Sequence, residues 1–115
     1  MQVRGKNIVV TGGGNGIGAA LCRQFAALQA RKIFVADIDA QAAENVAILV
    51  GGVAVPVDVA VETQVQSLVA QAGDIDLFCS NAGISVAGGV EVADADWDRI
   101  WSVNVKAHLY AARAA

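Results

Sequence analysis

Apolar and polar positions along this chain change period several times, and each change marks an element. Asn7-Ile8-Val9-Val10-Thr11 is a β-branched run closed by glycines. No polar position alternates through it, so it predicts a parallel strand buried on both faces. From Ile17 through Leu21, Phe25 and Leu28 the large apolar residues fall at helical spacing, which predicts a helix with one stripe to lay on a sheet. Lys32-Ile33-Phe34-Val35-Ala36-Asp37 predicts a second strand, and Asp39 to Val50 a second helix stopped by Gly51-Gly52. Val53-Ala54-Val55-Pro56-Val57 predicts a third strand. Val61, Val65, Leu68 and Val69 mark a helix face ending at Gly73, and Ile75-Asp76-Leu77-Phe78-Cys79 reads as a fourth strand. After a glycine-containing loop, Ala95 to Ala115 reads as helix.

Strands alternating with helices through short connections predict an α/β protein. The expected arrangement is a Rossmann-type doubly wound parallel sheet, partial, with about four strands in the order 3-2-1-4 and flanking helices. Pro56 fits that order, because a proline removes a ladder donor and belongs on an edge strand, where this order puts the third. A length of 115 residues suits one unit over 1–115 rather than two. Composition narrows the partners. At 56% hydrophobic, with one proline and a net charge of −3, the chain fits neither a disordered tail nor an electrostatic nucleic-acid binder, and a small molecule is expected instead. Apolar runs such as Ile33 to Ala36 and Val46 to Val50 end at a charge or a glycine, far short of a membrane span. The start, Met1-Gln2-Val3-Arg4-Gly5-Lys6, lacks the apolar stretch of a secretory signal, so a cytoplasmic location is expected. Cys22 and Cys79 read as reduced core thiols, and with one histidine no metal site is expected.

The sharpest chemical signal is Thr11-Gly12-Gly13-Gly14-Asn15-Gly16-Ile17-Gly18, between a predicted strand and a predicted helix. Glycines there permit positive φ and let the backbone approach a pyrophosphate, while the helix's first amides and its dipole attract negative charge. A plain strand-to-helix turn needs only one or two glycines, and this one has five in seven positions. No Gly-Lys-Ser/Thr follows, which excludes a P-loop. Asp37 closes the second strand about 20 residues beyond Gly18, where an acid can hydrogen-bond the ribose hydroxyls of NAD. A carboxylate there also repels a 2′-phosphate, and neither Asn15 nor Ile38 offers NADP a positive charge. Arg31 and Lys32 sit at the other end of that strand and read as solvated charges. Taken alone, Asp37 could equally be a turn or cap residue.

The spacing Gly12-x-x-x-Gly16-x-Gly18, with the preceding threonine, resembles the short-chain dehydrogenase/reductase family, and further matches extend the resemblance over nearly all of the chain. Asp58-Val59 follows the third strand where that family sets an aspartate and the next backbone group against adenine, although Asp58 could also simply cap the following helix. Asn81-Ala82-Gly83 follows the fourth strand where the family has Asn-Asn-Ala-Gly, with Ser80 in place of the first asparagine. Trp97-Asp98-Arg99-Ile100-Trp101-Ser102-Val103-Asn104-Val105-Lys106 resembles the family's helix leading into its active site. The resemblance implies that Gly12, Gly14, Asn15, Gly16, Ile17, Gly18, Asp37, Ile38, Asp58, Val59, Asn81, Ala82 and Gly83 bind NAD. It implies that Asn104 is the catalytic asparagine, whose backbone carbonyl holds a water in a proton relay.

The same resemblance implies hydride transfer between nicotinamide and an alcohol or carbonyl substrate, assisted by a serine and a Tyr-x-x-x-Lys pair. Within these 115 residues the single tyrosine is Tyr110, and four positions on stands Ala114. The expectation for this chain is therefore cofactor binding with negligible turnover, since general acid catalysis commonly contributes about 10²–10⁴-fold. Trp97, Ile100, Trp101 and Leu109, at helical spacing, read as core and subunit-contact residues, and a homo-oligomer is expected. His108 and Lys106 read as facing solvent or a partner subunit. Two other readings stand beside this one: a module that holds NAD(H) or a partner without turnover, and a methyltransferase using S-adenosylmethionine. The run of glycines together with Asn81-Ala82-Gly83 and Asn104 argues against the latter.

Overall fold

A computed structural model describes residues 1–115, all of the chain. Four parallel strands form one sheet: β1 (Asn7–Thr11), β2 (Lys32–Asp37), β3 (Val53–Pro56) and β4 (Leu77–Cys79), in the order β3-β2-β1-β4. The register sets Val9 opposite Phe34 on one side and Phe78 on the other. Pro56 pairs with Asp37 on the outer strand β3, as its missing N–H requires. The pairing outlasts the proline by one residue, since the Val57 N–H donates to the Asp37 carbonyl at 3.0 Å.

Helices α1 (Gly16–Ala27), α2 (Ala40–Val50) and α3 (Glu62–Ala72) each follow a strand. Asp39 caps α2, its Oδ1 accepting from the Ala42 N–H at 3.0 Å, and Gly51 ends it in the left-handed region at φ 66°. The period-two alternation of a strand then explains the unbroken apolar runs. Ile8, Val10, Ile33 and Val35 point to the face covered by α1 and α2, where they meet Ala19, Cys22, Phe25, Ala43 and Val46. Val9, Phe34, Ala36 and Val55 point to the other face, against Val65 and Leu68 of α3 and Val103, Ala107 and Ala111 of the last helical stretch. Ile8, Val9, Val10 and Val35 are wholly buried, and each such side chain contributes roughly 1.5–3 kcal/mol.

Two expectations change at their edges. The fourth strand begins at Leu77 rather than Ile75, because Asp76 instead turns its carboxylate back to the Asn7 N–H at 2.8 Å while its own N–H donates to the Asn7 carbonyl at 2.9 Å. The final helix is not one regular helix. It runs as α4 (Asp94–Trp101), a π turn (Ser102–Lys106) and α5 (Ala107–Ala114), with the Ala107 N–H reaching back five residues to the Ser102 carbonyl. No helix is long and apolar enough to cross a membrane.

Candidate cofactor site

The carboxyl ends of the four strands open onto one cavity of about 610 Å³, within the usual range of roughly 300–1,000 Å³ for small-molecule sites. Gly12, Asn15, Gly16, Ile17, Asp37, Ile38, Asp58, Val59, Asn81, Ala82 and Gly83 all line it, so residues far apart in sequence converge where a doubly wound sheet places its ligands. Gly14, Gly18 and Asn104 do not line it; they hold its walls from behind.

Four of the five loop glycines each have their own reason. Gly12 has φ 64°, and a Cβ there would come 2.9 Å from the Ala82 Cα, so only glycine lets the loops after β1 and β4 touch. Gly18 lies beneath Gly12, where a Cβ would strike the Gly12 carbonyl and come 2.8 Å from the Asn81 Nδ2. Gly14 is pressed against α2, with the Ala42 Cβ 2.8 Å and the Asp37 Oδ2 2.9 Å from where a Cβ would stand. Gly16, at φ 52°, faces open space and begins α1. The residue before it, Asn15, makes no side-chain cap, which leaves the first amides of α1 available to an anion.

Thr11 joins the two central loops. Its hydroxyl accepts from the Asn81 N–H at 3.0 Å and the Ala82 N–H at 3.2 Å, and its carbonyl accepts from the Asn81 Nδ2 at 3.1 Å. Asn104 does the same for the next stretch. Its Oδ1 accepts from the Ile84 N–H and its Nδ2 donates to the Ile84 carbonyl, both at 2.8 Å. Asp37 binds two backbone amides, Gly14 at 2.9 Å through Oδ2 and Asp39 at 3.0 Å through Oδ1. Asp58 closes a local turn by accepting from the Ala60 N–H at 2.9 Å and does not cap α3, whose first residue is Glu62 and whose N-cap, Val61, offers no side-chain acceptor.

Five further residues line the cavity: Val57, Ala60, Ile84, Arg99 and Val103. Arg99 is its one cationic side chain. Its spacing to Val103, four positions on one helix face, was visible in the sequence, but nothing local said which face turned inward. Ile17 and Ile38 are 75% and 68% exposed at the mouth, which gives a flat ligand apolar surface to lie on.

Other expectations are corrected. Trp97, Trp101 and Leu109 do not belong to this chain's core; they are 50–57% exposed, because helical spacing reports a shared face and not what covers it. His108 and Lys106 are exposed, as expected, and the His108 Nδ1 also pairs with the Ser80 Oγ at 2.6 Å. Cys22 and Cys79 are free thiols. Burial pushes Cys22 up to about 11 and raises Cys79 as well, so both stay neutral in the physiological range.

A sequence model described as "short chain dehydrogenase" matches residues 6–115. Meso-2,3-butanediol dehydrogenase of Serratia marcescens is 34% identical over 123 residues, covering 100% of this chain and 49% of that protein. A short-chain dehydrogenase/reductase from Burkholderia phymatum, solved with NAD, superposes with a TM-score of 0.95 at 30% identity over 99% of this chain and 44% of that one. A blue fluorescent protein from a metagenomic library, solved with NADPH, gives 0.86 at 36% identity over 100% and 51%. The chain thus spans about half the length of the curated relatives it matches.

Proposed function

This chain belongs to the short-chain dehydrogenase family, and from that premise we propose that residues 1–115 form one NAD(H)-binding unit of an oxidoreductase acting on a small alcohol or carbonyl compound. The observation that carries the reading is the single cavity shared by the uncapped start of α1, the Asp37 carboxylate and the apolar Ile38 and Val59. Each suits one part of a dinucleotide: amides for the pyrophosphate, a carboxylate for the adenosine ribose, and apolar side chains for the adenine. Gly12, Asn81, Ala82 and Gly83 keep the floor low enough for a ligand to cross the sheet edge, with Gly14 and Gly18 fixing the loop from behind.

NAD(H) is favoured over NADP(H), even though one structural relative was solved with NADPH. Asp37 would repel a 2′-phosphate, and its cavity neighbours Asn15 and Ile38 are uncharged. At the far end of β2 the Arg31 Nε is engaged by the Asn7 Oδ1 at 3.0 Å, and Lys32 lies over the Phe34 ring. When bound, the nicotinamide supplies or accepts the hydride. Asn104 is assigned the relay water through its backbone carbonyl, supported by the π turn around it, since such turns disturb the regular carbonyl ladder and frequently mark functional sites. The exposed face of Trp97, Trp101, Val105 and Leu109 supports a homo-oligomer. A cytoplasmic location agrees with two free thiols, Cys22 buried and Cys79 half-buried.

Calorimetric titration with NADH, NADPH and S-adenosylmethionine tests the reading. Saturable NADH binding at least about ten-fold tighter than NADPH is expected, a difference of roughly 1.4 kcal/mol. Binding of S-adenosylmethionine instead, or none by a folded sample, would overturn it.

A further inference from the structure

The Asp37 carboxylate is already engaged before any ligand arrives. Its Oδ2 takes the Gly14 N–H at 2.9 Å, and its Oδ1 takes the Asp39 N–H at 3.0 Å. Gly14 is buried, and Asp37 is the one acceptor its amide has. The backbone of Asp37 is engaged as well, its carbonyl receiving the Val57 N–H, and the preceding Ala36 carbonyl receives the Gly13 N–H, each at 3.0 Å. The end of β2 therefore anchors the glycine loop, the start of α2 and the exit of β3 at one point. Glycine at position 14 is part of the device, because a Cβ would come 2.9 Å from the carboxylate oxygen and push the loop off it.

A carboxylate offers about four lone-pair sites. Two are spent on the backbone amides, and the side chain still lines the cavity, so two remain for a vicinal diol. We propose that Asp37 is a positioning residue for the pyrophosphate loop as well as the ribose-recognising carboxylate, coupling loop order and cofactor choice through one side chain. This rests on the NAD(H) reading of the cavity. Its consequence is that changing cofactor preference at Asp37 also loosens the loop, weakening ligands that never reach the ribose pocket.

The test uses reduced nicotinamide mononucleotide, which carries one phosphate and no adenosine, beside NADH. Affinities are measured on the full chain, its Asp37→Ala variant and its Asp37→Asn variant, with amide hydrogen exchange followed at Gly14 and at Leu68 on the opposite face. A hydrogen bond from a buried amide to a charged acceptor is worth about ten-fold or more in an equilibrium. Asp37→Ala is therefore expected to weaken the mononucleotide about ten-fold and to speed Gly14 exchange by a similar factor, with Leu68 unchanged. Asp37→Asn keeps one acceptor oxygen and is expected to recover most mononucleotide binding while NADH stays weak. Mononucleotide affinity and Gly14 exchange both within two-fold of the parent in Asp37→Ala would leave Asp37 a ribose ligand only and overturn the proposal. If neither nucleotide binds the parent, the NAD(H) reading fails, and the Gly14 exchange of the two variants still decides whether the carboxylate holds the loop. Should Asp37→Ala not fold, the same comparison is made with Asp37→Leu, which keeps side-chain bulk without an acceptor and must raise Gly14 exchange above the parent's for the proposal to stand.

Discussion

The glycine loop, Gly12–Gly18, and the helical stretch Asp94–Ala114 both border the cavity, yet they are specified in opposite ways. In the loop the constraints are close approaches to the glycine backbone that leave no room for a Cβ: Gly18 under Gly12, Gly14 against Asp37 and Ala42, Gly12 against Ala82. In the helical stretch the constraints are made by side chains. Asn104 holds Ile84 twenty residues away, Val103 and Ala107 pack on the sheet, and Trp97, Trp101 and Leu109 have no cover within this chain. A region whose backbone is crowded by its neighbours announces itself in residue types, since only glycine fits there. A region held through its side chains announces only which of its residues share a face.

The strongest way to break this contrast is to add one carbon chain to the loop. Gly18→Val places atoms against the Gly12 carbonyl and 2.8 Å from the Asn81 Nδ2. A loss of about 3 kcal/mol is expected from the forced shift, together with loss of NADH binding, read by thermal unfolding and titration. Gly16→Ala, facing open space at φ 52°, should cost only about 1 kcal/mol of backbone strain. Equal losses in the two variants would show that the loop is not held by the contacts described.

A smaller effect sharpens the cofactor assignment. Asp37→Ala with Ile38→Arg removes the carboxylate and adds a cation at the cavity mouth, so the NADH:NADPH affinity ratio should move towards NADPH by about 100-fold if each change contributes about ten-fold. Absolute affinity for both should fall below the parent's NADH affinity, because the Gly14 amide loses its acceptor. An unchanged ratio would remove Asp37 from the assignment.

The smallest effect on stability is expected in the helical stretch. Trp101→Lys, at a side chain 57% exposed, should change unfolding free energy by no more than about 0.5 kcal/mol. If this face contacts another subunit, the same change should shift the sedimenting species towards monomer at equal concentration. A large loss of stability in a monomeric sample would mean that the tryptophan is held within the chain after all.

This contrast also explains what was legible. The edge position of Pro56 follows from its missing donor, and the two buried faces of Ile8 to Val10 from an unbroken apolar run, because a parallel strand covered by helices on both faces must be apolar on both sides. Eleven of the thirteen residues expected to bind cofactor face one cavity. Gly14 and Gly18 were read from the same motif but serve by close packing, which spacing alone does not distinguish from ligand contact. The π turn at Ser102–Lys106, the inward turn of Arg99 and the Ser80–His108 pair each depend on what lies across the fold, and no periodicity encodes them.

The most direct measurement is amide chemical-shift mapping of the full chain titrated with NADH. The account predicts saturable shifts at Gly14, Gly16 and Ile17 in the loop, at Ile38 and Val59 on the adenine side, and at Asn81 and Ala82 below, with the far ends of the strands silent. Shifts confined to the Trp97–Leu109 face, or to the hollow between Met1–Arg4 and Ala27–Gln29 at the opposite end of the strands, would contradict it.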